Sequence, residues 1–192
     1  MRDGEGIWGR GRTGGHAHPK EAMHTTFFIL GGTMLIGVIS DTHLYDRAFE
    51  LPKAVFDEFS NVDLIIHCGD VTDKEILDSL KDLAKVVAVK GNMDYLNLPR
   101  KEILEINDIK IGVIHGDVVY PRGDRLKLRL LGKEMGVDVL ISGHTHTPFI
   151  DDCRDILLLN PGSPTVPRCP LKSIMKLSVE DKLEAKLIPI EE

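Results

Sequence analysis

The sequence has few cysteines and no long apolar run. Its 3 cysteines, Cys68, Cys153 and Cys169, are widely separated and form no C-x-x-C pair, so a disulfide framework is not expected. No apolar stretch is long enough to span a bilayer. The short apolar stretch at residues 27–30 lacks the length and cleavage site of a signal peptide. These absences predict a cytoplasmic protein.

The chain also lacks an excess of basic residues. It carries 24 Lys and Arg against 30 Asp and Glu, a formal net charge of −6. Because a basic face supplies most of the affinity for long nucleic acids, this balance argues against such a partner and against a nuclease. A small phosphate ester held by metal ions remains compatible with it. The length of 192 residues fits one domain.

Residues 1–33 differ in composition from the rest. They are rich in Gly and Arg and show neither helical nor strand periodicity, so they bury too little apolar surface to offset chain entropy. We predict a disordered or non-native extension at 1–33 and one domain at 34–192. His16, His18 and His24 lie in this segment, where a flexible tail is favoured over a metal role. Deletion of residues 1–33 is then expected to leave folding and activity intact.

From Met34 onward, strand and helix patterns alternate. Apolar strands are predicted at 34–40, 64–67 and 86–89, with helices at about 52–59 and from about 73 to 83 between them. A hairpin around Asn107-Asp108, a helix at about 124–135 ended by Gly136, and strands at 137–142, 156–160, 173–179 and 183–190 follow. The opening βαβαβ pattern predicts parallel pairing, and the later part is more antiparallel. The expected fold class is α/β, with two packed β-sheets flanked by helices.

Polar side chains follow the ends of five apolar strands. They are Asp41 and His43, Asp70, Asn92, His115, and His144 with His146. Because ligands of open α/β sheets bind beyond the carboxyl ends of strands, these residues are expected to share one rim. Carboxylate, imidazole and amide ligands without thiolate suit Mn²⁺, Fe²⁺, Zn²⁺ or Ni²⁺. Seven ligands exceed the needs of a single four-coordinate zinc and suit two ions.

Each motif also has a plainer interpretation. Asp-x-His, Gly-Asp and Gly-Asn are common in loops and turns, and His115 alone could be a hydrogen-bonded core histidine. His67 could orient Asp70 or simply end a strand, and an inert buried thiol is favoured for Cys68. The occurrence of all five clusters in order, each after an apolar strand, favours the metal site.

The order Asp-x-His, Gly-Asp, Gly-Asn, His-Gly, Gly-His-x-His resembles the calcineurin-like metallophosphoesterase superfamily. Within it, the short chain and the run from Asn160 through Ser163 to Arg168 are similar to the small YfcE-like phosphodiesterases. The resemblance spans about residues 34–190 and implies the two-sheet fold. It also implies how the ligands divide. One ion would take Asp41, His43 and His146; the other would take Asn92, His115 and His144; Asp70 would bridge them.

The resemblance implies hydrolysis of a small phosphodiester by a hydroxide bridging two divalent ions. Manganese is the first choice of metal. The expected catalytic residues are Asp70, Asn92, His115 and Arg168, the last as a phosphate clamp or else a solvated loop arginine. Met93 stands where many members carry a leaving-group histidine, which predicts a preference for good leaving groups. The alternative functions are a phosphomonoesterase and a partner-binding scaffold like the retromer subunit of similar fold. A homodimer is a separate expectation for the oligomeric state, which the sequence leaves open.

Overall fold

A computed structural model describes residues 23–27, 32–152 and 155–191. Within these ranges the chain forms two sheets and three helices. The strands are β1 (Met23–Phe27), β2 (Met34–Ile39), β3 (Leu64–His67), β4 (Lys85–Ala88), β5 (Lys101–Ile106), β6 (Ile109–Ile114), β7 (Val139–Ile141), β8 (Phe149–Asp151), β9 (Leu157–Asn160), β10 (Ser173–Val179) and β11 (Leu183–Pro189). The helices are α1 (Lys53–Phe59), α2 (Lys74–Lys81) and α3 (Arg125–Met135).

Both sheets are mixed. The five-stranded sheet has the order β11-β10-β2-β3-β4, and the six-stranded sheet has the order β1-β5-β6-β7-β9-β8. Strands β2, β3 and β4 are parallel to one another, as are β6, β7 and β9. The antiparallel pairs include β10 with both β2 and β11, and β5 with β6. The predicted fold class, two sheets flanked by helices, is confirmed.

The main core lies between the two sheets. Strands β2 and β3 are almost entirely apolar, as expected of strands whose two faces are both largely covered. The inner faces contribute Ile36, Val38, Leu64 and Ile66 from one sheet and Leu104, Ile111, Val113 and Ile141 from the other. Full burial of each such side chain is worth about 1.5–3 kcal/mol. This packing fixes the two sheets against each other, and hence the loops that both contribute to one end.

The helices cover the outer faces. α1 and α2 pack Val55, Phe59 and Leu80 against the five-stranded sheet, and α3 packs Leu128 against the six-stranded sheet. The predicted starts and stops correspond to local hydrogen bonds. The Asp73 side chain accepts from the amide of Glu75 at the start of α2. α3 ends at Gly136 as predicted, whereas α2 ends at Lys81, two residues before the predicted end.

Two strands were not anticipated. β8 is three residues long and pairs only with β9 at a sheet edge, which is too short for an alternation pattern to show. β1 lies inside the segment predicted to be disordered, and it pairs in parallel with β5 along all five residues. The prediction is corrected for residues 23–27, because the exposed edge of β5 offers hydrogen bonds that local sequence patterns do not reveal. The boundary at Met34 stays a prediction.

Of the three histidines in the predicted extension, His24 belongs to the described residues and the other two do not. His24 is part of β1, and its Nε2 atom lies 3.8 Å from Glu105 Oε2, so it faces a carboxylate of β5. His16 and His18 lie outside the described residues, as does Cys153. Among the described residues, none of the helices has the length and apolar composition needed to cross a membrane.

Candidate metal centre and active site

The polar residues that follow the strands meet at one end of the sandwich. The structure brings together two groups of side chains, each of which could hold a metal ion. One group is Asp41, His43 and His146, and the other is Asp70, His115 and His144. In each group, the potential ligand atoms lie within 4.8 Å of one another. The carboxyl ends of β2 and β3 in one sheet and of β6 and β7 in the other position these loops.

The first group is compact and buried. His146 Nε2 lies 3.3 Å from Asp41 Oδ1 and 3.3 Å from His43 Nε2. His43 Nε2 is 4.0 Å from the same Asp41 oxygen. Two imidazole nitrogens and one carboxylate oxygen therefore face a common point.

The second group includes the amide predicted from the Gly-Asn motif. His115 Nε2 is 3.2 Å from His144 Nδ1, 3.2 Å from Asn92 Oδ1 and 3.3 Å from Asp70 Oδ2. Asp70 connects the two groups, since the same Oδ2 atom is 3.4 Å from His43 Nε2. All seven residues singled out in the sequence thus lie around one centre.

One carboxylate oxygen at this centre accepts no hydrogen bond from the described residues. Asp41 is fully buried, and its Oδ2 atom accepts hydrogen bonds from Ser40 Oγ at 2.7 Å and from the amide of His144 at 2.9 Å. Its buried Oδ1 atom accepts no hydrogen bond within the described ranges, and His146 Nε2 lies 3.3 Å from it. An unpaired buried carboxylate oxygen is costly, and this burial raises the pKa of Asp41 to about 6. A cation facing Oδ1 would satisfy it, so the residues present fit a metal ion.

In three of the histidines, the Nδ1 atom of the ring lies close to an oxygen that fixes the orientation of the ring. Nδ1 of His115 lies 2.8 Å from the carbonyl oxygen of Cys68, and Nδ1 of His146 lies 2.6 Å from that of Val166. Nδ1 of His43 lies 3.3 Å from Asp46 Oδ2. A proton on Nδ1 can be donated to each oxygen, which leaves the Nε2 lone pair directed at the centre.

The two buried carboxylates of the centre favour binding of a cation. Burial works to raise the pKa of Asp70, but its hydrogen bond with His115 and nearby charge outweigh this and lower it to about 2. Burial likewise works to lower the pKa of His115, yet Asp70 and Asp41 raise it to about 9. Without an ion, His115 is therefore protonated at neutral pH, and its positive charge balances part of the negative charge of Asp70 and Asp41. A bound divalent ion would replace this proton as the positive charge beside the carboxylates.

The backbone of the centre is strained. Five of the seven residues, none of them glycine, have positive φ: Asp41 (54°), His43 (46°), Asp70 (54°), His144 (65°) and His146 (58°). This conformation is unfavourable for residues with a Cβ and clusters at functional sites. Hydrogen bonds between loops hold it, including those from the amide of Asp41 to Gly69 and from the amide of Gly143 to His115.

Glycines are required where these loops touch. A Cβ at Gly91 would lie 2.1 Å from Asp70 Oδ1, and one at Gly143 would lie 1.9 Å from Ser40 Oγ. Both distances are far below van der Waals contact. Neither position can therefore carry a side chain, and each glycine protects the position of a carboxylate.

Asp94 has a structural function that the sequence did not reveal. Its Oδ2 atom accepts from the amides of Asp70 at 2.9 Å and Gly91 at 2.8 Å, and its Oδ1 atom accepts from the amide of Thr72 at 2.7 Å. Asp94 is buried. It thus ties the loop after β3 to the loop after β4. Gly91 is a local partner, but only the fold brings the amides of Asp70 and Thr72 to Asp94, so no local signal could have indicated the link between the two loops.

His67 supports the centre indirectly. It is fully buried, and its Nδ1 atom accepts from the amide of Gly69 at 3.2 Å. The proton is therefore on Nε2, which lies 3.2 Å from Thr42 Oγ1. Thr42 in turn bonds the carbonyl oxygen of Asp70. Of the two interpretations of His67, the structure favours an orienting role, through Thr42 and the backbone.

The run from Asn160 to Arg168 lines the first group. Ser163 Oγ donates to the carbonyl of Asp41 at 2.8 Å, and Asn160 Nδ2 donates to that of Gly143 at 2.8 Å. Both side chains are buried, so they shape loops. Arg168 is exposed, and its amide donates to the carbonyl of His146 at 3.1 Å. Its guanidinium charge contributes, after burial, to lowering the pKa of His146, which indicates that it lies near the centre.

Comparison with known proteins identifies the family. The profile of the calcineurin-like phosphoesterase superfamily domain matches residues 34–182, most of the chain. The chain belongs to this superfamily. The match begins at Met34, and the resemblance drawn from the five motifs is confirmed. Members of the superfamily are metallophosphoesterases, so the coarse function, a metal-binding phosphoesterase, follows for this chain.

Individual relatives support the same family assignment. A probable metallophosphoesterase of Methanothermobacter thermautotrophicus is 56% identical over 159 residues, covering 81% of this chain and 92% of that protein. A structure described as a novel archaeal phosphodiesterase is 27% identical, covers 82% of this chain and 100% of that one, and has a TM-score of 0.66. Wild-type Vps29 of Entamoeba histolytica, solved with Zn²⁺, is 30% identical over 81% of this chain and 99% of that one, with a TM-score of 0.69.

Proposed function

We propose that this protein is a dinuclear metal-dependent phosphodiesterase that hydrolyses small phosphodiesters. The observation that carries the proposal is the position of Asp70 Oδ2, 3.4 Å from His43 Nε2 in one group and 3.3 Å from His115 Nε2 in the other. A carboxylate oxygen in this position is placed to coordinate one ion in each group, as a bridging ligand does. The relative described as an archaeal phosphodiesterase supports the diester substrate.

The residues would divide between two ions. Asp41, His43 and His146 would hold the first, and Asn92, His115 and His144 would hold the second, with Asp70 shared. Two divalent ions in such a site act as Lewis acids, lower the pKa of bound water and clamp phosphate oxygens. Manganese is our first choice among ions suited to imidazole and carboxylate ligands, with Fe²⁺, Zn²⁺ and Ni²⁺ as alternatives.

The chain itself supplies orientation and charge. Ser40 Oγ and the amide of His144 hold one oxygen of Asp41, which directs the other oxygen to the centre. The amide of Met93 donates to Asp70 Oδ1 at 2.8 Å and so directs Oδ2 between the two groups. Arg168 would bind a substrate phosphate oxygen at the edge beside His146, since a guanidinium matches phosphate geometry. The location we propose is the cytoplasm.

Hydrolysis of bis-p-nitrophenyl phosphate by the Mn²⁺-loaded protein tests this function. We expect metal-dependent turnover that chelation abolishes, and a loss of at least about a hundredfold in Asp70→Asn and His115→Ala, because each removes a ligand. Asp108→Asn, in the exposed turn between β5 and β6, is the matched control and should keep full activity. No turnover with any of the four metals, or full turnover in Asp70→Asn, would contradict the proposal.

A partner-binding role is the second candidate, favoured by the likeness to Vps29. A chain that only binds partners has no need to keep all seven potential ligands. Here each of the seven positions carries a side chain able to coordinate, which favours turnover. A metal-loaded wild-type protein that hydrolyses neither bis-p-nitrophenyl phosphate nor the monoester p-nitrophenyl phosphate would instead support the partner-binding role. Faster turnover of the monoester would indicate a phosphomonoesterase.

A further inference from the structure

A second arginine, Arg122, lies beside the second group of the centre. It is exposed, in the loop between β6 and α3, and its Nη1 atom lies 3.5 Å from the carbonyl oxygen of His144. That distance is long for a hydrogen bond, so the guanidinium is only loosely held there. Its charge also contributes, after burial and His115, to lowering the pKa of His144. Arg122 therefore occupies, at His144, a position like that of Arg168 at His146.

The loop that carries Arg122 is fixed against the centre. Gly123 has φ of 73°, and a Cβ there would lie 2.7 Å from Thr145 Cγ2. Thr145 separates the two histidines of the Gly-His-Thr-His motif, so the glycine permits the loop to pack directly on that motif. The amide of Asp124 donates to the carbonyl of Pro121 at 3.1 Å, and Lys127 Nζ bonds the carbonyl of Tyr120. The placement of Arg122 is thus set by backbone packing.

The positive charge of Arg122 is available to a ligand. Two other arginines in the rim loops are paired: Arg47 Nε lies 3.3 Å from Asp46 Oδ2, and Arg100 Nη1 lies 3.4 Å from Asp117 Oδ2. Within the part of the chain that the structure describes, no carboxylate lies within ion-pair distance of Arg122. Four of its five N–H donors are likewise uncommitted there. An unpaired guanidinium next to a potential metal ligand is suited to an anionic substrate.

We propose that Arg122 is a substrate-binding residue that holds the phosphate group of the diester on the side of His144, opposite Arg168. This inference rests on the proposed function. The planar fork of the guanidinium can donate two parallel hydrogen bonds to phosphate oxygens, which a lysine cannot do. Substrate held in this way is bound at the metal pair and at both arginines.

The test measures substrate and phosphate binding in the Mn²⁺-loaded full chain. In Arg122→Gln we expect the KM for bis-p-nitrophenyl phosphate and the inhibition constant of inorganic phosphate to rise by about tenfold, the effect of losing one charged hydrogen bond. Arg122→Lys keeps the charge and should recover part of this. Gly123→Ala should change both constants in the same direction, because it pushes the loop away from Thr145. Metal content should stay unchanged in Arg122→Gln and Arg122→Lys, which leave the Gly-His-Thr-His motif untouched.

Lys182→Gln is the matched control, since it removes one positive charge at the β10–β11 turn, at the end of the sheet away from the centre. It should leave both constants unchanged. Unaltered KM and phosphate inhibition in Arg122→Gln would overturn the inference while leaving the phosphodiesterase proposal standing. If the wild type has no diesterase activity, calorimetric binding of inorganic phosphate still decides: weaker binding in Arg122→Gln supports the role of Arg122, and equal binding overturns it.

Discussion

Among single residues, Asp94 supports the proposed metal centre although it belongs to neither group of potential ligands. It accepts three backbone hydrogen bonds, one of them from Asp70 itself. In Asp94→Asn an NH₂ group replaces one acceptor and faces amide donors. We expect a loss of about 1–3 kcal/mol in stability and of about tenfold to a hundredfold in metal affinity. Thermal unfolding and Mn²⁺ titration measure the two effects.

Asp108→Asn is again the appropriate comparison, because it makes the same chemical change in an exposed turn. It should leave both stability and metal affinity unchanged. Metal affinity in Asp94→Asn equal to that of the wild type would show that the loops after β3 and β4 hold their positions without this carboxylate.

Glu102 is a buried carboxylate with a different consequence. It lies on β5, and its Oε2 atom has no hydrogen-bond partner among the described residues. Burial raises its pKa from 4.5 to about 7. Because the folded state holds this proton more tightly than the unfolded state, its contribution to stability is greatest below pH 4.5. That contribution is lost as the pH rises towards 7.

Glu102→Gln removes the ionisable group and should therefore stabilise the protein at high pH. We expect the variant to exceed the wild type by about 2 kcal/mol at pH 8 and by much less at pH 5. Denaturant unfolding at the two pH values provides the measurement, and Glu184→Gln, on exposed β11, is the control. A difference that is the same at both pH values would mean that Glu102 does not titrate as a buried acid.

The contrast between the ligands and these two carboxylates explains what sequence could predict at this scale. Asp41, His115 and the other proposed ligands follow apolar strands, so residue type and position together indicated a common rim. Asp94 and Glu102 gain their properties from partners, or from the lack of partners, in distant segments. Arg122 likewise depends on the packing of Gly123 against Thr145, which no spacing reveals.

At the scale of elements, β1 changes the expectation for the N-terminal segment. Its five residues pair with β5, and Phe27 packs on the main core with Lys85 Nζ 4.5 Å from its ring centre. Deletion of residues 1–33 should therefore lower stability by about 1–2 kcal/mol and uncover the edge of β5, which favours self-association. Activity per metal-loaded molecule should persist, because β5 carries none of the seven residues.

Deletion of residues 1–22 alone provides the control, since it leaves β1 in place. This shorter deletion should match the full chain in melting temperature and in oligomeric state by light scattering. If deletion of residues 1–33 also matches the full chain in both, then β1 adds nothing to the domain and the original expectation of a dispensable extension holds.

The elements that sequence predicted well are those with a strong local signal. Strands buried on both faces, such as β2 and β3, read as continuous apolar runs, and α3 has a capping aspartate and a terminal glycine. The elements that were missed, β1 and β8, lie at the two edges of the six-stranded sheet. Edge strands need to match only one neighbour and one core face, so their sequences carry less information.

At the scale of the whole molecule, the centre joins the two sheets. Asp41, Asp70 and Asn92 follow strands of the five-stranded sheet, whereas His115 and His144 follow strands of the six-stranded sheet. The order of strands within each sheet could not be predicted from the sequence, because it depends on long-range pairing such as that of β10 with β2. The convergence of the loops could be predicted, because it follows from parallel strands ending on the same side.

This arrangement couples metal binding to protonation. In the metal-free protein the pKa of His115 is raised to about 9, so His115 carries a proton at pH 7 that an ion must displace. We expect Mn²⁺ binding at pH 7 to release roughly one proton per protein, and the apparent affinity to rise by about tenfold per pH unit between 7 and 9. Calorimetry in buffers with different heats of ionisation measures the proton count directly.

His115→Ala separates this proton from other sources. The variant keeps the first group of side chains, so it should still bind one ion through Asp41, His43 and His146 but release much less proton at pH 7. Below pH 6, protonation of Asp41, whose pKa burial raises to about 6, should weaken binding in both proteins. A heat of binding that does not depend on the buffer in the wild type would mean that His115 is neutral before the ion arrives. The carboxylates would then have to be balanced in the metal-free protein by some charge other than that proton.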